Sequence, residues 1–335
     1  MPTAKSRKGV NKLEPVTENG LNPIDLLSRD LARVASTMSA NEARFLVGQY
    51  YKIQEDRKRS DSQVAELSKN DQPHAVMSWL LYNNETFEKG IAKALDVYSA
   101  SSPMGEWLRS IFGIGPVIAA GLLAHINIDK VKHASGIWRY AGLDPTSEWK
   151  KGQKRPWNAE LKVLCWKIGE SFMKQSGNEK CYYGHLIKHR WEIEKSMNRD
   201  GKFQEQAKLA LERKKIGQDT EAFLWYNGYL KAEILDGYTG LTLEQRNVRL
   251  KDPRYNVGEG RGTPMLPPAH ILARAKRWAV KQFLCDYFMK ECEIKGRRIA
   301  RPYALTMGLP NHTTLRLGPG VKEPMWIDEA ASAQV

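Results

Sequence analysis

The sequence predicts an all-α protein, an antiparallel coiled-coil helical hairpin followed by a larger helical domain, on three observations. No window sustains the strict apolar–polar alternation of a half-buried strand. Apolar residues instead recur at helical steps over several long stretches. The composition also suits a chain with real cores: 335 residues, 41% hydrophobic and 27% charged, a length that buries roughly three quarters of its unfolded surface.

Residues 1–38 read as a basic tail and lead-in, of which 1–20 mix Lys, Pro, Asn and Gly without periodicity and are expected to be disordered. From 39 to 102 the pattern changes. Leu46, Tyr50, Ile53, Arg57, Ser60, Val64 and Leu67 follow alternating steps of four and three, a coiled-coil spacing with two polar positions in its middle. Asn70-Asp71-Gln72-Pro73 signals a turn, and Val76, Leu80, Phe87, Ile91, Ala94 and Tyr98 then share one face of a second helix. One striped helix cannot bury its seam alone, so the two are expected to pair. Their near-neutral charge suits a spacer or dimerisation arm.

Residues 103–300 stay helical but become richer in Trp, Gly and basic residues. Helices are expected near 104–111, 116–125, 134–141, 158–175, 180–198, 203–215, 220–235 and 268–293, with 199–260 as a polar, nearly neutral insertion. Residues 301–335 carry Pro302, Gly308, Pro310, Gly318 and Pro319, and read as an extended tail that lies over the core or ends free.

Charge is the first functional clue. The chain carries 52 Lys and Arg against 38 Asp and Glu, a formal +14. Residues 36–102 hold 8 cations against 9 anions, whereas 103–200 hold 16 against 10 and 261–335 hold 12 against 6. Such clustering is the footprint of a polyanion binder, with nucleic acid ahead of an anionic membrane. The longest apolar run, Pro116 to Ile126, is about half of the ~20 residues a bilayer span needs. Lys5, Arg7, Lys8 and Lys12 have no apolar core behind them, so no secretory signal is expected and the chain is read as cytoplasmic. Cys165, Cys181, Cys285 and Cys292 show no Cys-x-x-Cys spacing and read as buried free thiols.

Three constellations bear on that partner. Phe112-Gly113-Ile114-Gly115-Pro116 leads into the apolar run, with Gly113 and Gly115 permitting a tight hairpin and Pro116 fitting the first helical turn. The product is a helix N-terminus whose free N–H groups suit a phosphate, as in helix-hairpin-helix elements; a purely structural turn explains it equally. The loop that follows interleaves Lys150, Lys151, Lys154 and Arg155 with Trp149 and Trp157 and ends at Asn158. Cations neutralise phosphates and indoles stack on bases, whereas in a plain solvated loop the tryptophans would plug the core. Lastly, His270, Arg274, Arg277 and Lys281 step along one face of a helix opened by Pro268, with Lys276 beside them and Arg297 and Arg298 beyond its end. That face is expected to form a basic ridge, or else the solvated side of an ordinary amphipathic helix.

His185, His189 and Glu192 share a face but lack a fourth ligand, and no metal or cofactor is expected. No P-loop, Gly-x-Ser-x-Gly, His-Glu-x-x-His or zinc-ribbon spacing occurs, no aspartate sits on a strand-like run as a two-metal nuclease needs, and His312 lacks HNH partners.

The glycine hairpin, then Trp138-Arg139-Tyr140-Ala141-Gly142-Leu143-Asp144-Pro145, a Lys-rich loop and a helix from Asn158 resemble, over roughly residues 107–176, the C-terminal domain of the bridge-RNA-guided DEDD transposases of bacterial insertion sequences. That resemblance implies a domain that holds guide RNA and DNA and carries a nucleophilic serine, usually followed by glycine. Ser147 is the nearby serine, and Glu148 follows it. The family's RuvC-like carboxylate domain has no counterpart in the hairpin at 39–100. A hairpin followed by Pro268, His270, Arg274 and Lys281 is also similar to the Nop-domain proteins of box C/D ribonucleoproteins and to the Tas proteins of TIGR systems, of the nuclease-free, TasA-like kind.

These resemblances imply a Nop-like domain that grips a small dual-guide RNA by shape and backbone while base pairing selects target DNA. They further imply a homodimer through the hairpin, no membrane partner, no nuclease of its own, and a prokaryotic or phage-infected cell. The alternatives are a serine-dependent recombinase using Ser147 and a guide-free helix-hairpin-helix DNA-binding protein.

Overall fold

The computed structural model describes residues 27–70, 74–213, 215–302, 305 and 315–327. The expected N-terminal tail over 1–20, residues 71–73 of the expected turn, and most of the 301–335 tail, His312 included, lie outside the described residues. Two compact units are formed. One runs up to Ser110 and adds Gly115–Asn127; the other comprises Ile111–Ile114 and the chain from Ile128 onward.

In the first unit, α1 (Arg29–Val34) and a short 3-10 turn lead to α2 (Ala40–Lys69). A capping box starts α2: the Ser39 hydroxyl accepts the Glu42 N–H, and the Glu42 carboxylate accepts the Ser39 N–H at 2.7 Å. The imidazole of His74 accepts the Val76 N–H at 3.2 Å and caps α3 (Ala75–Ala100). The two helices pack antiparallel, since Gln54 and Arg57 both reach Glu88, Asn84 donates to Ser60 at 3.2 Å, and Val47 packs with Leu95. Arg57 and Ser60 therefore do face α3, but the middle of the pair is held by polar bonds.

The stripe expected on α3 is split. Ala94 is buried and Ile91 and Tyr98 pack around Val47 and Leu95, while Val76, Leu80 and Phe87 are exposed. Asn83 and Thr86 are buried in that half of the helix instead. A repeat of 3.5 drifts around a straight helix, so one stripe does not stay on one neighbour over the length of α3. Helices α4 (Pro103–Ser110) and α5 (Pro116–His125) complete this unit, with Ala120 of α5 seated against Val47 and Leu95. An almost wholly apolar α5 has no solvent face to offer, which is why it is buried here.

The second unit is built on α12 (Pro268–Ile294), flanked by α6 (Ala134–Tyr140), α7 (Ala159–Lys174) and α8 (Tyr182–Arg199). Ile271, Ala275, Ala279 and Phe283 of α12 are fully buried. Phe172, Tyr183 and Phe283 pack their rings at 4.9, 5.5 and 5.2 Å and join α7, α8 and α12, each large side chain contributing roughly 1.5–3 kcal/mol.

Residues 199–260 carry α9 (Gln204–Arg213), whose Ala207 packs with Phe203, Tyr226, Leu266 and Ile271, and α10 (Glu221–Tyr226) and α11 (Leu243–Lys251), which share a core of Trp225, Leu230, Ile234, Tyr238, Leu250 and Met265. The single helix expected over 220–235 is broken. Gly228 adopts a φ of 67° and its carbonyl takes the Gly262 N–H at 2.8 Å, so the chain turns back after Tyr226 and resumes only as a 3-10 turn at Ala232–Leu235. Helix α11 went unforeseen because it has no apolar stripe: Leu243 and Val248 are both exposed. Its capping box, Thr242 with Gln245, was the signal available.

No strand occurs among the described residues, which hold two isolated bridges, Leu230 with Asn256 and Ile299 with Trp326. The fold is all-α. Residues 315–327 lie against the core, where Gly318 donates its N–H to Asp286 at 3.0 Å and Val321 is buried. No helix among the described residues is long and apolar enough to cross a membrane.

Candidate nucleic-acid interface

The site residues fall into two groups, those spent on the fold and those left facing solvent. Within the glycine hairpin, Gly113 has a φ of 99°, and a Cβ there would press on Phe172 at 2.8 Å. Its carbonyl accepts the Ser171 hydroxyl at 2.6 Å. Gly113 is thus required by packing whether or not a phosphate binds. Gly115 is the N-cap of α5, with no side-chain cap, and Pro116 sits in the first turn, as expected.

After α6, Asp144 accepts the Thr146 N–H at 2.9 Å and hydroxyl at 2.7 Å, and Arg139 donates to it at 3.3 Å. The Thr146 bonds, then Arg139, hold the Asp144 carboxyl below the ordinary aspartate value. Trp149 donates its indole N–H to the Gln153 carbonyl at 2.7 Å and carries Arg155 over its ring at 5.1 Å. Lys150, Lys151, Lys154 and Arg155 are all exposed, with no ion-pair partner among the described residues. Trp157 is half-buried beneath Lys162, whose ammonium stands 4.2 Å from the ring centre. Asn158 caps α7 by accepting the Leu161 N–H at 2.8 Å and donates to the Tyr140 hydroxyl at 3.0 Å, so its side chain serves the fold.

Helix α12 does not present one uniform basic ridge. Arg274 donates to Glu194 at 2.7 Å and to Gln206 at 2.8 Å, and its guanidinium lies 4.3 Å from the Phe203 ring. Glu194, 2% exposed, also takes two bonds from Arg190. Lys276 pairs with Glu170 at 2.7 Å, and His270 bonds the Tyr226 hydroxyl at 2.9 Å. A buried carboxylate must be paired to be tolerated, and the helical period brings Arg274 rather than Arg277 to it. Arg297 spends its guanidinium on the carbonyls of Ile128 and Val131 at 3.0 and 2.9 Å. Arg298 is exposed.

Arg277 and Lys281 remain. Neither has a carboxylate partner among the described residues; Lys281 lies 5.3 Å from the ring of Trp138, whose indole N–H donates to the Lys281 carbonyl at 3.0 Å. Desolvation and then the nearby charge of Arg277 and Arg155 lower the Lys162 pKa. Desolvation lowers that of Lys281, with Asp144 opposing and Arg277 adding to the shift. Desolvation and then Arg274 lower that of Arg277, with Glu194 opposing. Lys162 thus lies near Arg155 and Arg277, and Lys281 near Arg277, a neighbourhood of positive charge that a bound polyanion would stabilise. Lys162 was missed in the sequence because it lies outside both basic motifs; only the packing of α7 on α12 brings it between them.

Ser147 is half-buried in the same loop, its N–H on the Asp144 carbonyl at 3.3 Å. No His, Lys or carboxylate bonds its hydroxyl among the described residues. His185 bonds the Asn178 carbonyl at 3.0 Å and Glu192 pairs with Lys195 at 2.7 Å, so two of the three candidate metal ligands have other partners. Burial pushes the Cys165 and Cys285 thiols up to about 12, as for unreactive core cysteines.

Residues 105–155 match the family model described as Transposase IS116/IS110/IS902 family. This stretch, from α4 to the Trp149 loop, is thus similar to a transposase-related domain. No curated protein and no solved structure matches the chain.

Proposed function

We propose that this protein is the RNA-binding subunit of an RNA-guided, DNA-targeting ribonucleoprotein, holding a small guide RNA on a Nop-like second unit without a nuclease of its own. The observation that carries the reading is that Arg155, Lys162, Arg277 and Lys281 lie near one another and form no salt bridge among the described residues, with Arg155 5.1 Å over the ring of the exposed Trp149. Cations take the phosphates, the indole takes a base, and base pairing supplies sequence choice. The hairpin would pair two copies through Val76, Leu80 and Phe87, which lie exposed on α3. Leu80→Glu with Phe87→Glu should then give monomers by light scattering, and an unchanged mass would remove the dimer. Leu46 is unsuitable for that test, because it packs on the Val47–Leu95 core.

The deciding experiment is to purify the protein from cells expressing its native locus and sequence the nucleic acid that survives a high-salt wash. A discrete small RNA of uniform length supports the guide reading; protein free of RNA, or carrying random fragments, defeats it. The transposase-family match favours a second reading, a recombinase using Ser147. In that case Ser147→Ala abolishes strand exchange, whereas under the guide reading it leaves RNA binding intact. Guide-free DNA binding through the α4–α5 hairpin would instead show as sequence-independent, steeply salt-dependent affinity unaffected by RNase.

A further inference from the structure

The outward side of α7 carries two large apolar residues that the fold does not use. Trp166 is 63% exposed and Val163 is 53% exposed. Lys162 and Trp166 stand one turn apart, so they share a face, with Val163 beside Trp166. Glu170, the next acidic group along this side, already pairs with Lys276. An indole this open one turn from Lys162 is anomalous for a helix whose other aromatic side chain, Phe172, is fully buried.

We propose that Trp166 is a stacking platform for an unpaired nucleotide of bound RNA, with the flanking phosphates held by Lys162, Arg155 and Arg277. This rests on the RNA-binding reading above and adds to it a preference for single-stranded over duplex segments. Charge complementarity selects this occupant. Lys162, one turn from the ring, forms no salt bridge among the described residues, and desolvation with the nearby charge of Arg277 and Arg155 lowers its pKa, which a protein partner's apolar patch would aggravate by further desolvation. An unpaired nucleotide brings a π-face and a phosphate together at the spacing of one residue, whereas paired bases in an A-form helix keep their faces stacked on each other.

The test uses the full-length chain with two probes, single-stranded oligouridylate and an RNA duplex of equal phosphate number. Trp166→Ala should weaken single-strand binding roughly five- to a hundredfold, the range for one base–indole stack, and leave duplex binding and both salt slopes unchanged. Trp166→Phe should restore most of the loss, which separates stacking from a folding defect. Lys162→Gln should flatten the salt slope on both probes. Equal losses on both probes, or none on the single strand, would overturn the platform while leaving RNA binding itself in place. If wild-type protein binds neither probe, the RNA reading fails and the platform with it. Unchanged RNA affinity together with lost self-association in Trp166→Ala would reassign the patch to a protein contact.

Discussion

The helical pair α2–α3 and the face formed by the Trp149 loop, α7 and α12 handle charge in opposite ways. Along the pair, cations meet anions one turn away: Lys58 with Glu55, Arg59 with Asp56, Lys69 with Glu66 and Lys89 with Glu85. Such exposed pairs contribute little each, and they leave no net field. On the loop–α7–α12 face, Glu194 pairs with Arg190 and Arg274 and Glu170 with Lys276, while Lys162, Arg277 and Lys281 form no salt bridge among the described residues. The same residue types thus produce a neutral arm in one region and a surface with cations outside salt bridges in the other. What differs is whether partners are supplied by the helix's own repeat or by packing.

Four expectations sharpen that contrast. The largest concerns the buried carboxylate. Glu194→Ala strands two guanidiniums, Arg190 and Arg274, and should cost about 3–5 kcal/mol in chemical denaturation; a loss under 1 kcal/mol would mean that solvent reaches both arginines.

Next comes Asp286, whose carboxyl burial raises to about 6 despite bonds from Tyr183 at 2.7 Å and Gly318 at 3.0 Å and the nearby charge of Arg316. Because the folded-state value exceeds the unfolded one, the native chain binds the extra proton between roughly pH 4 and pH 6. This group's contribution is therefore full below that window and lost as pH rises through it, a change of roughly 3 kcal/mol. Asp286→Asn can keep the Gly318 bond on its amide oxygen and donate from its NH2 to the Tyr183 oxygen, and should flatten the corresponding fall in melting temperature; an unaltered pH profile would assign the fall to other groups.

Third, Lys162→Gln, Arg277→Gln and Lys281→Gln together should weaken RNA binding about fiftyfold near physiological salt and lower the salt slope by about 2, at 0.7 per lost phosphate contact on single strands. Replacing Arg274 in the same assay should cost stability, about 1.5–3 kcal/mol for a charged hydrogen bond, and leave the slope alone. The smallest effect belongs to the arm: Lys58→Gln with Lys69→Gln should change RNA affinity less than twofold and stability by under about 1 kcal/mol. A slope change there would extend the binding surface onto α2.

The arginines of α12 mark how far the sequence could be read. Their spacing placed His270, Arg274, Arg277 and Lys281 on one face, and that is where helix α12 puts them. Spacing carried no information about which would meet a buried acid, because Glu194 is 80 residues from Arg274 in the chain. Trp166 and Lys162 were hidden for the same reason. A Trp at an apolar helical position reads as core until the packing of α7 on α12 leaves it outside.

Length, composition and periodicity determined that this chain folds into helices, since local hydrogen bonding and a 3.6-residue period are written residue by residue. The positive charge, the α5 start at Pro116 and the long α12 were likewise legible locally. Tertiary structure alone decided the rest: that α5 buries itself against α2 and α3, that the helix after Thr220 breaks at Gly228, and which cations are spent and which are free. Those outcomes depend on contacts between residues far apart in sequence, where packing and desolvation set the partners.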